Sequence, residues 1–354
     1  MIPWLRAPLS LALLTASLQL AARPPAPGFE FTQLADGVYA SIRTEPVGLG
    51  VDSNNLFVVG DDGVLVVDTN FGPSSTRQVL AKLRTITGKP VKFVVNTHPH
   101  DDHVLGNSVY REAFPEAEFI GHPFLREYLP GKGAANRKAQ IENLPGFATG
   151  LKDALARGLN FVRQPLSAEE RAGYESDLRL IESYLKDAPA FVDVLPTKTV
   201  SDRMTVSLGS RTVDVLHPGR GHTAADLVVH LPREGIIATG DLVVHPIPLV
   251  GGDQSFVADW TATLEKVLAL QPRIIVPGHG PVMRDTTYVQ QMADLFASVT
   301  KQVTDAPGET LDEVRKSVDL TTWRDRFSGD SQLKRFLFAN YVSGPAVASA
   351  YRAR

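Results

Sequence analysis

Three histidines and two aspartates crowd into six positions, in the run Thr97-His98-Pro99-His100-Asp101-Asp102-His103. The 354-residue chain holds nine histidines in all, so a third of them stand in one short segment. A polar surface turn needs no such concentration, whereas a metal ion does. Neutral imidazoles and carboxylates are the ligands zinc takes where thiolates are absent, and this sequence contains no cysteine. The segment follows directly on residues 91–95, a largely apolar run that predicts a buried strand. Loops at the carboxyl ends of strands are the usual seat of chemistry in α/β sheets. In such a loop His98 and His100 can point to one metal, while Asp102 and His103 turn toward a second.

The flanking pattern is that of a layered α/β protein. Strands are predicted at 38–42, 55–59 and 64–68, the last two joined by the hairpin turn Gly60-Asp61-Asp62-Gly63. Residues 74–87 have helical spacing and stop at Gly88, and 119–121 form a further strand. From Pro123 to Leu195 the pattern becomes helical, with a capping box at Ser167-Ala168-Glu169-Glu170. This stretch interrupts two β regions and reads as a helical insertion over the mouth of a pocket. Strands resume at 197–200, 204–208, 213–216, 227–231, 236–239 and 273–276, with a helix at 259–270. The tail from Thr286 predicts helices, one opened by the capping box Thr310-Leu311-Asp312-Glu313.

Composition bounds the partners. A net charge of −3, with both signs interspersed, gives no basic field for nucleic acid and no polybasic tail for anionic lipid, and so leaves a small-molecule substrate. Zero cysteines exclude disulfides, thiolate ligands and a cysteine nucleophile. Arg6 precedes an apolar stretch from Leu9 to Leu20 and the exit Ala21-Ala22, so residues 1–22 predict a secretory signal peptide. The stretch is shorter than the roughly 20 apolar residues of a membrane span. The expectation is a secreted or periplasmic protein with no stable membrane anchor.

The run from His98 to His103 resembles the His-x-His-x-Asp-His signature of the metallo-β-lactamase superfamily. Further matches follow in that family's order: His222 in Gly219-Arg220-Gly221-His222-Thr223, Asp241 in Thr239-Gly240-Asp241-Leu242, and His279 in Val276-Pro277-Gly278-His279-Gly280. The resemblance implies a four-layer αβ/βα sandwich over residues 23–285, carrying the insertion at 123–195 and a helical C-terminal extension at 286–354. It implies two Zn2+ ions, the first held by His98, His100 and His222, the second by Asp102, His103 and His279, with Asp241 between them. Asp68 matches an aspartate that supports the ligands from behind. Asp226 is either a helper in the turn after His222 or a plain turn residue. His245 is a candidate for lining the substrate pocket, while His122, His217 and His230 read as packed or surface side chains.

The implied reaction is hydrolysis, in which a hydroxide bridging the metals attacks a carbonyl-type substrate (an ester, thioester, lactone or lactam). Asp102 would orient that hydroxide and pass a proton to the leaving group. Three other readings stay open. A β-lactamase of the all-histidine subclass shares six ligands but lacks the bridging Asp241. An iron-dependent sulfur dioxygenase would use the same scaffold, whereas di-iron reductases carry an acid where this chain has His100. A non-catalytic binding protein would show lost ligands, and every matched position here is filled.

Overall fold

Residues 28–308 and 310–354 are described by the computed structural model; the expected signal peptide at 1–22 lies outside them. The first sheet runs in chain order: β1 (Phe29–Ala35), β2 (Val38–Arg43), β3 (Asn55–Val59), β4 (Val64–Val67), β5 (Val91–Val95), β6 (Glu118–Gly121) and β7 (Lys198–Thr199). β1 to β4 form an antiparallel meander, and β4 to β7 are parallel. The hairpin between β3 and β4 turns at Gly60–Gly63, where the Gly60 amide donates to the Gly63 carbonyl at 2.9 Å. Parallel pairing needs a crossover, supplied by α1 (Pro73–Ile86), while α2 (Asp101–Val104) and α3 (Asn107–Ala113) link β5 to β6.

Between β6 and β7 the chain leaves the sheet and forms the expected helical insertion: α4 (Leu125–Tyr128), α5 (Ala134–Arg157) and α6 (Ala168–Asp187). The capping box opens α6: the Ser167 hydroxyl accepts from the Glu170 amide at 3.1 Å, and the Ser167 amide donates back to Glu170 Oε2 at 2.9 Å. α5 ends at Gly158, whose φ of 66° is a left-handed cap open to glycine. The two long helices bury Leu151, Ala154, Tyr174 and Ile181 against each other. Polar ties fix them to the sandwich. Asp177 accepts from the Leu49 and Gly50 amides at 2.8 and 2.9 Å, and Arg137 pairs with Asp101 at 3.0 Å.

The second sheet has the order β12-β11-β10-β9-β8, built from β8 (Arg203–Leu208), β9 (Arg211–Leu216), β10 (Val228–Leu231), β11 (Ile236–Ala238) and β12 (Ile274–Val276). It is antiparallel except for β11 and β12, which α7 (Val257–Ala269) connects in parallel. The chain closes with α8 (Thr287–Asp305), α9 (Leu311–Ser317), α10 (Thr321–Ser328), α11 (Gln332–Phe338) and α12 (Gly344–Arg352).

Both faces of the central strands are apolar because both are covered. Successive side chains alternate between faces, so Leu56, Leu65 and Val67 point inward to meet Val213, Val229 and Ile236 of the other sheet. Phe57, Val64 and Val66 point outward onto Val79, Leu80 and Leu83 of α1. On the far side Val228, Ile237 and Ile275 meet Trp260 and Leu264 of α7 and Phe296 of α8, with Leu333, Phe338 and Ala346 of the later helices in the same cluster. Each such side chain contributes about 1.5–3 kcal/mol on burial. The result is a four-layer αβ/βα sandwich. Among the described residues no helix is long and apolar enough to cross a membrane.

Candidate metal centre

Strand endings position the site. β5 stops at Val95, the chain bends through residues 97–99, and it is extended again at His100, whose φ and ψ are −72° and 149°. The His98 and His100 rings end up edge to face, their centroids 4.8 Å apart. α2 begins at Asp101, and its first turn swings Asp102 and His103 toward the same space. His222 lies between β9 and β10, Asp241 in the single turn after β11, and His279 just past β12. All seven predicted ligands meet at one edge of the sandwich, although 181 positions separate the first from the last (279 − 98).

They fall into two groups. His98, His100, His222 and Asp241 form one and Asp102, His103 and His279 the other, with the donor atoms of each group within 4.8 Å of one another. Asp241 faces both. Its Oδ2 stands 3.5 Å from His222 Nε2 and 3.9 Å from His98 Nε2, while its Oδ1 stands 3.2 Å from both His103 Nε2 and His279 Nε2. Asp102 Oδ2 is 3.1 Å from His279 Nε2 and 3.3 Å from His103 Nε2. Ligands about 2.0–2.2 Å from a tetrahedral ion stand roughly 3.3–3.5 Å apart, so the donor spacing fits. Three buried atoms, His98 Nε2, Asp102 Oδ2 and Asp241 Oδ1, make no hydrogen bond. Such an atom costs about 1–3 kcal/mol, and more if charged, a debt a cation in these groups would cancel.

The remaining nitrogen of each imidazole is engaged, which fixes the ring and the tautomer. His103 Nδ1 donates to Asp68 Oδ2 at 2.7 Å, His222 Nδ1 to the Leu249 carbonyl at 2.8 Å and His279 Nδ1 to the Asp52 carbonyl at 3.0 Å. His98 Nδ1 meets the Thr97 hydroxyl at 3.1 Å. His100 is turned the other way round: its Nε2 donates to Gln254 Oε1 at 3.3 Å, and its Nδ1 faces His222 Nε2 at 2.9 Å. Asp68 also accepts from the Thr97 amide and hydroxyl, both at 2.8 Å, and so steadies the start of the histidine run.

Charge follows from burial and neighbours. Burial holds His98 and His100 below the usual imidazole range and pushes His222 down to about 4, leaving the neutral form that ligates metals. Burial would also lower His279, yet the Asp241 and Asp102 carboxylates bring it up to about 9. Against their own burial, Asp102 and Asp241 are held well below the usual carboxylate range by the surrounding imidazoles. Two ionised carboxylates in so enclosed a space demand positive charge.

The other predicted residues lie close by. Asp226 accepts from the Thr223 amide and hydroxyl, shaping the turn after His222, and burial pushes its carboxyl up to about 7. His245 lines a cleft of about 270 Å³ beside His279, its ring 5.0 Å from that of Tyr288. His217 donates to the Asp226 carbonyl and lies against His122. A larger cleft, of about 430 Å³, opens onto His100 and Asp102 between α5, α6 and residues 49–51. Two residues that sequence reasoning passed over also serve the site, Asp52 and Gln254. Tyr128, an insertion tyrosine whose sequence fits helix packing as well as substrate contact, donates its hydroxyl to Gln254 Oε1 at 2.6 Å. Gly278 lets the His279 loop approach Asp241, since a Cβ there would stand 2.0 Å from Asp241 Oδ1.

Comparison with known proteins gives the family of the chain. The family model described as "Metallo-beta-lactamase superfamily" matches residues 49–279, and the chain belongs to that superfamily. A linear primary-alkylsulfatase of Pseudomonas sp. is 25% identical over 272 residues, covering 73% of this chain and 48% of that protein. The chain thus spans about half the length of that relative. A type 2 metallo-beta-lactamase of Bacillus cereus is 24% identical over 241 residues, 66% of this chain and 70% of that protein. Among solved structures, a metallo-beta-lactamase from Pontibacter korlensis superposes with a TM-score of 0.53 at 19% identity, over 76% of this chain and 99% of its own. That likeness is one of fold.

Proposed function

We propose that this chain is a zinc-dependent hydrolase with two ions, acting on a carbonyl substrate such as an ester, thioester, lactone or lactam. The observation that carries the reading is Asp241, which turns one carboxylate oxygen to each of two groups of buried ligands. His98, His100, His222 and Asp241 Oδ2 would hold one ion, and Asp102, His103, His279 and Asp241 Oδ1 the other. A donor set of nitrogen and oxygen without thiolate suits zinc. Bound divalent ions supply a water acidified toward neutral pH and a Lewis acid for the oxyanion of the reaction.

The chain's own residues do the rest. The larger cleft delivers the substrate to the edge where His100 and Asp102 are exposed to it. Asp102, whose Oδ2 would ligate the ion beside His103 and His279, orients the water and takes up a proton on its other carboxylate oxygen as the water oxygen bonds to the acyl carbon. The acyl–heteroatom bond then breaks, and Asp102 returns the proton to the leaving atom. One water is consumed, and no electrons are transferred to or from the substrate.

A second reading, hydrolysis of a sulfate ester, draws on the alkylsulfatase relative. It stands behind the first because, among the described residues, no Lys or Arg lines the larger cleft to receive an anionic substrate. The test is metal analysis with a substrate panel: an aryl ester, a thioester, a lactone, a chromogenic cephalosporin and an alkyl sulfate. The expected outcome is close to two equivalents of zinc and turnover of a carbonyl substrate that EDTA abolishes and zinc restores. Undiminished turnover in a metal-free preparation would overturn the proposal.

A further inference from the structure

We infer that the substrate carries a long, uncharged, apolar arm that lies in the larger cleft; the inference rests on the hydrolase reading and names its substrate class. The cleft, at about 430 Å³, is within the range of small-molecule sites. Its walls are Leu144 and Phe147 of α5, Ile181 of α6, and Leu49, Val51 and Phe71 from the sandwich side. Among the described residues its charged lining consists of carboxylates alone. Asp101 is paired with Arg137 and accepts from the Tyr184 hydroxyl at 3.1 Å, and Asp177 accepts the Leu49 and Gly50 amides. Asp102 belongs to the ligand groups. Among the described residues no unpaired Lys or Arg lines the cleft to receive a carboxylate, sulfate or phosphate on the arm, so such a group would be buried as an unpaired ion.

The smaller cleft meets the larger at Gly50, Val51, Leu249 and Tyr341, which line both. His100 and Asp102 line the larger cleft and His279 the smaller, so both passages reach the ligand groups, and a bond cleaved there has one partner in each. With about 270 Å³ against 430 Å³, the smaller passage takes the shorter partner.

The test uses the zinc-loaded full chain and two readouts. The first is kcat/KM for p-nitrophenyl esters from acetate to decanoate, and for acetate esters of linear alcohols of matched length. The second is calorimetric Kd for linear alkyl hydroxamates of the same lengths, with and without a terminal carboxylate. Each buried methylene strengthens binding roughly fourfold (~0.8 kcal/mol). The expected result is a rise in hydroxamate affinity of at least about tenfold from two to eight carbons, largely lost when the chain ends in a carboxylate. A parallel rise is expected in one of the two ester series. Leu144→Lys, at a half-buried position on α5, should flatten the chain-length gain and relieve the carboxylate penalty, with bound zinc unchanged. Affinity independent of chain length, or improved by the terminal carboxylate, overturns the inference even if esters are hydrolysed. A chain-length gain in hydroxamate binding with no turnover of any ester, thioester, lactone or lactam overturns the hydrolase reading and leaves the cleft's specificity standing.

Discussion

The two ligand groups are alike in chemistry and unlike in what holds them. In the group of Asp102, His103 and His279, the supports come from the strand ends: the Asp68 carboxylate just past β4 and the Asp52 carbonyl ahead of β3. In the group of His98, His100 and His222, the supports include the Leu249 carbonyl and the Gln254 side chain, both in the long connection between β11 and α7. Gln254 in turn accepts from Tyr128 of α4, whose hydroxyl accepts from Asn136 Nδ2 of α5 at 3.2 Å. One half of the site is therefore set by the sandwich, the other by the helices that also wall the larger cleft. Two ions of equal charge would sit in mechanically unequal seats.

The harshest test of the arrangement removes the carboxylate proposed as both ligand and proton carrier. Asp102→Asn should lower kcat by about 10³-fold or more while the folded state persists, judged by far-UV circular dichroism; near wild-type turnover would falsify its role. Asp68→Ala and Gln254→Ala come next and probe the difference directly. Each should weaken one ion by about 10–100-fold, as loss of a ligand's outer partner does, measured by competition with a chromogenic chelator. Asp68→Ala should release the ion of the His103 group and Gln254→Ala that of the His100 group. If both variants release the same ion, the two seats are not separately supported.

The mildest effect lies in the turn that presents His222. Burial raises the Asp226 carboxyl from 3.8 to about 7 in the folded chain, so its protonated form is the one folding favours. Its contribution to stability is complete below pH 4 and is lost as the pH rises through 7. Asp226→Asn cannot titrate. The melting temperature of wild type relative to that variant should fall by roughly 5 °C between pH 5 and pH 8. A difference that stays flat or grows over that window contradicts the assignment.

Much of this site is written locally in the sequence. His98 to His103 declare themselves by density, and His222, Asp241 and His279 each follow an apolar strand, so spacing and strand ends together predict where they go. The capping boxes at Ser167 and Thr310 are equally local, and both open helices. What is not legible is what arrives from across the fold. Asp52 acts through its backbone carbonyl, which no residue type advertises. Gln254 lies 154 positions from His100 and belongs to no motif. Strand β1 is passed over for a different reason: an edge strand with half-exposed residues shows a weak apolar pattern, and the sequence reading begins at β2.

Gly278 sets a rule for how such a protein can change over evolutionary time. A side chain at 278 would collide with the Asp241 carboxylate and with the backbone of Gly240, so that position admits glycine alone. Single substitutions inside the cage therefore break it before they retune it, and it passes between descendants as a block. Novelty has to enter through the helices around it, where a half-exposed position such as Leu144 can vary without touching a ligand. Lineages built on this scaffold should diverge in what they accept while conserving how they cut.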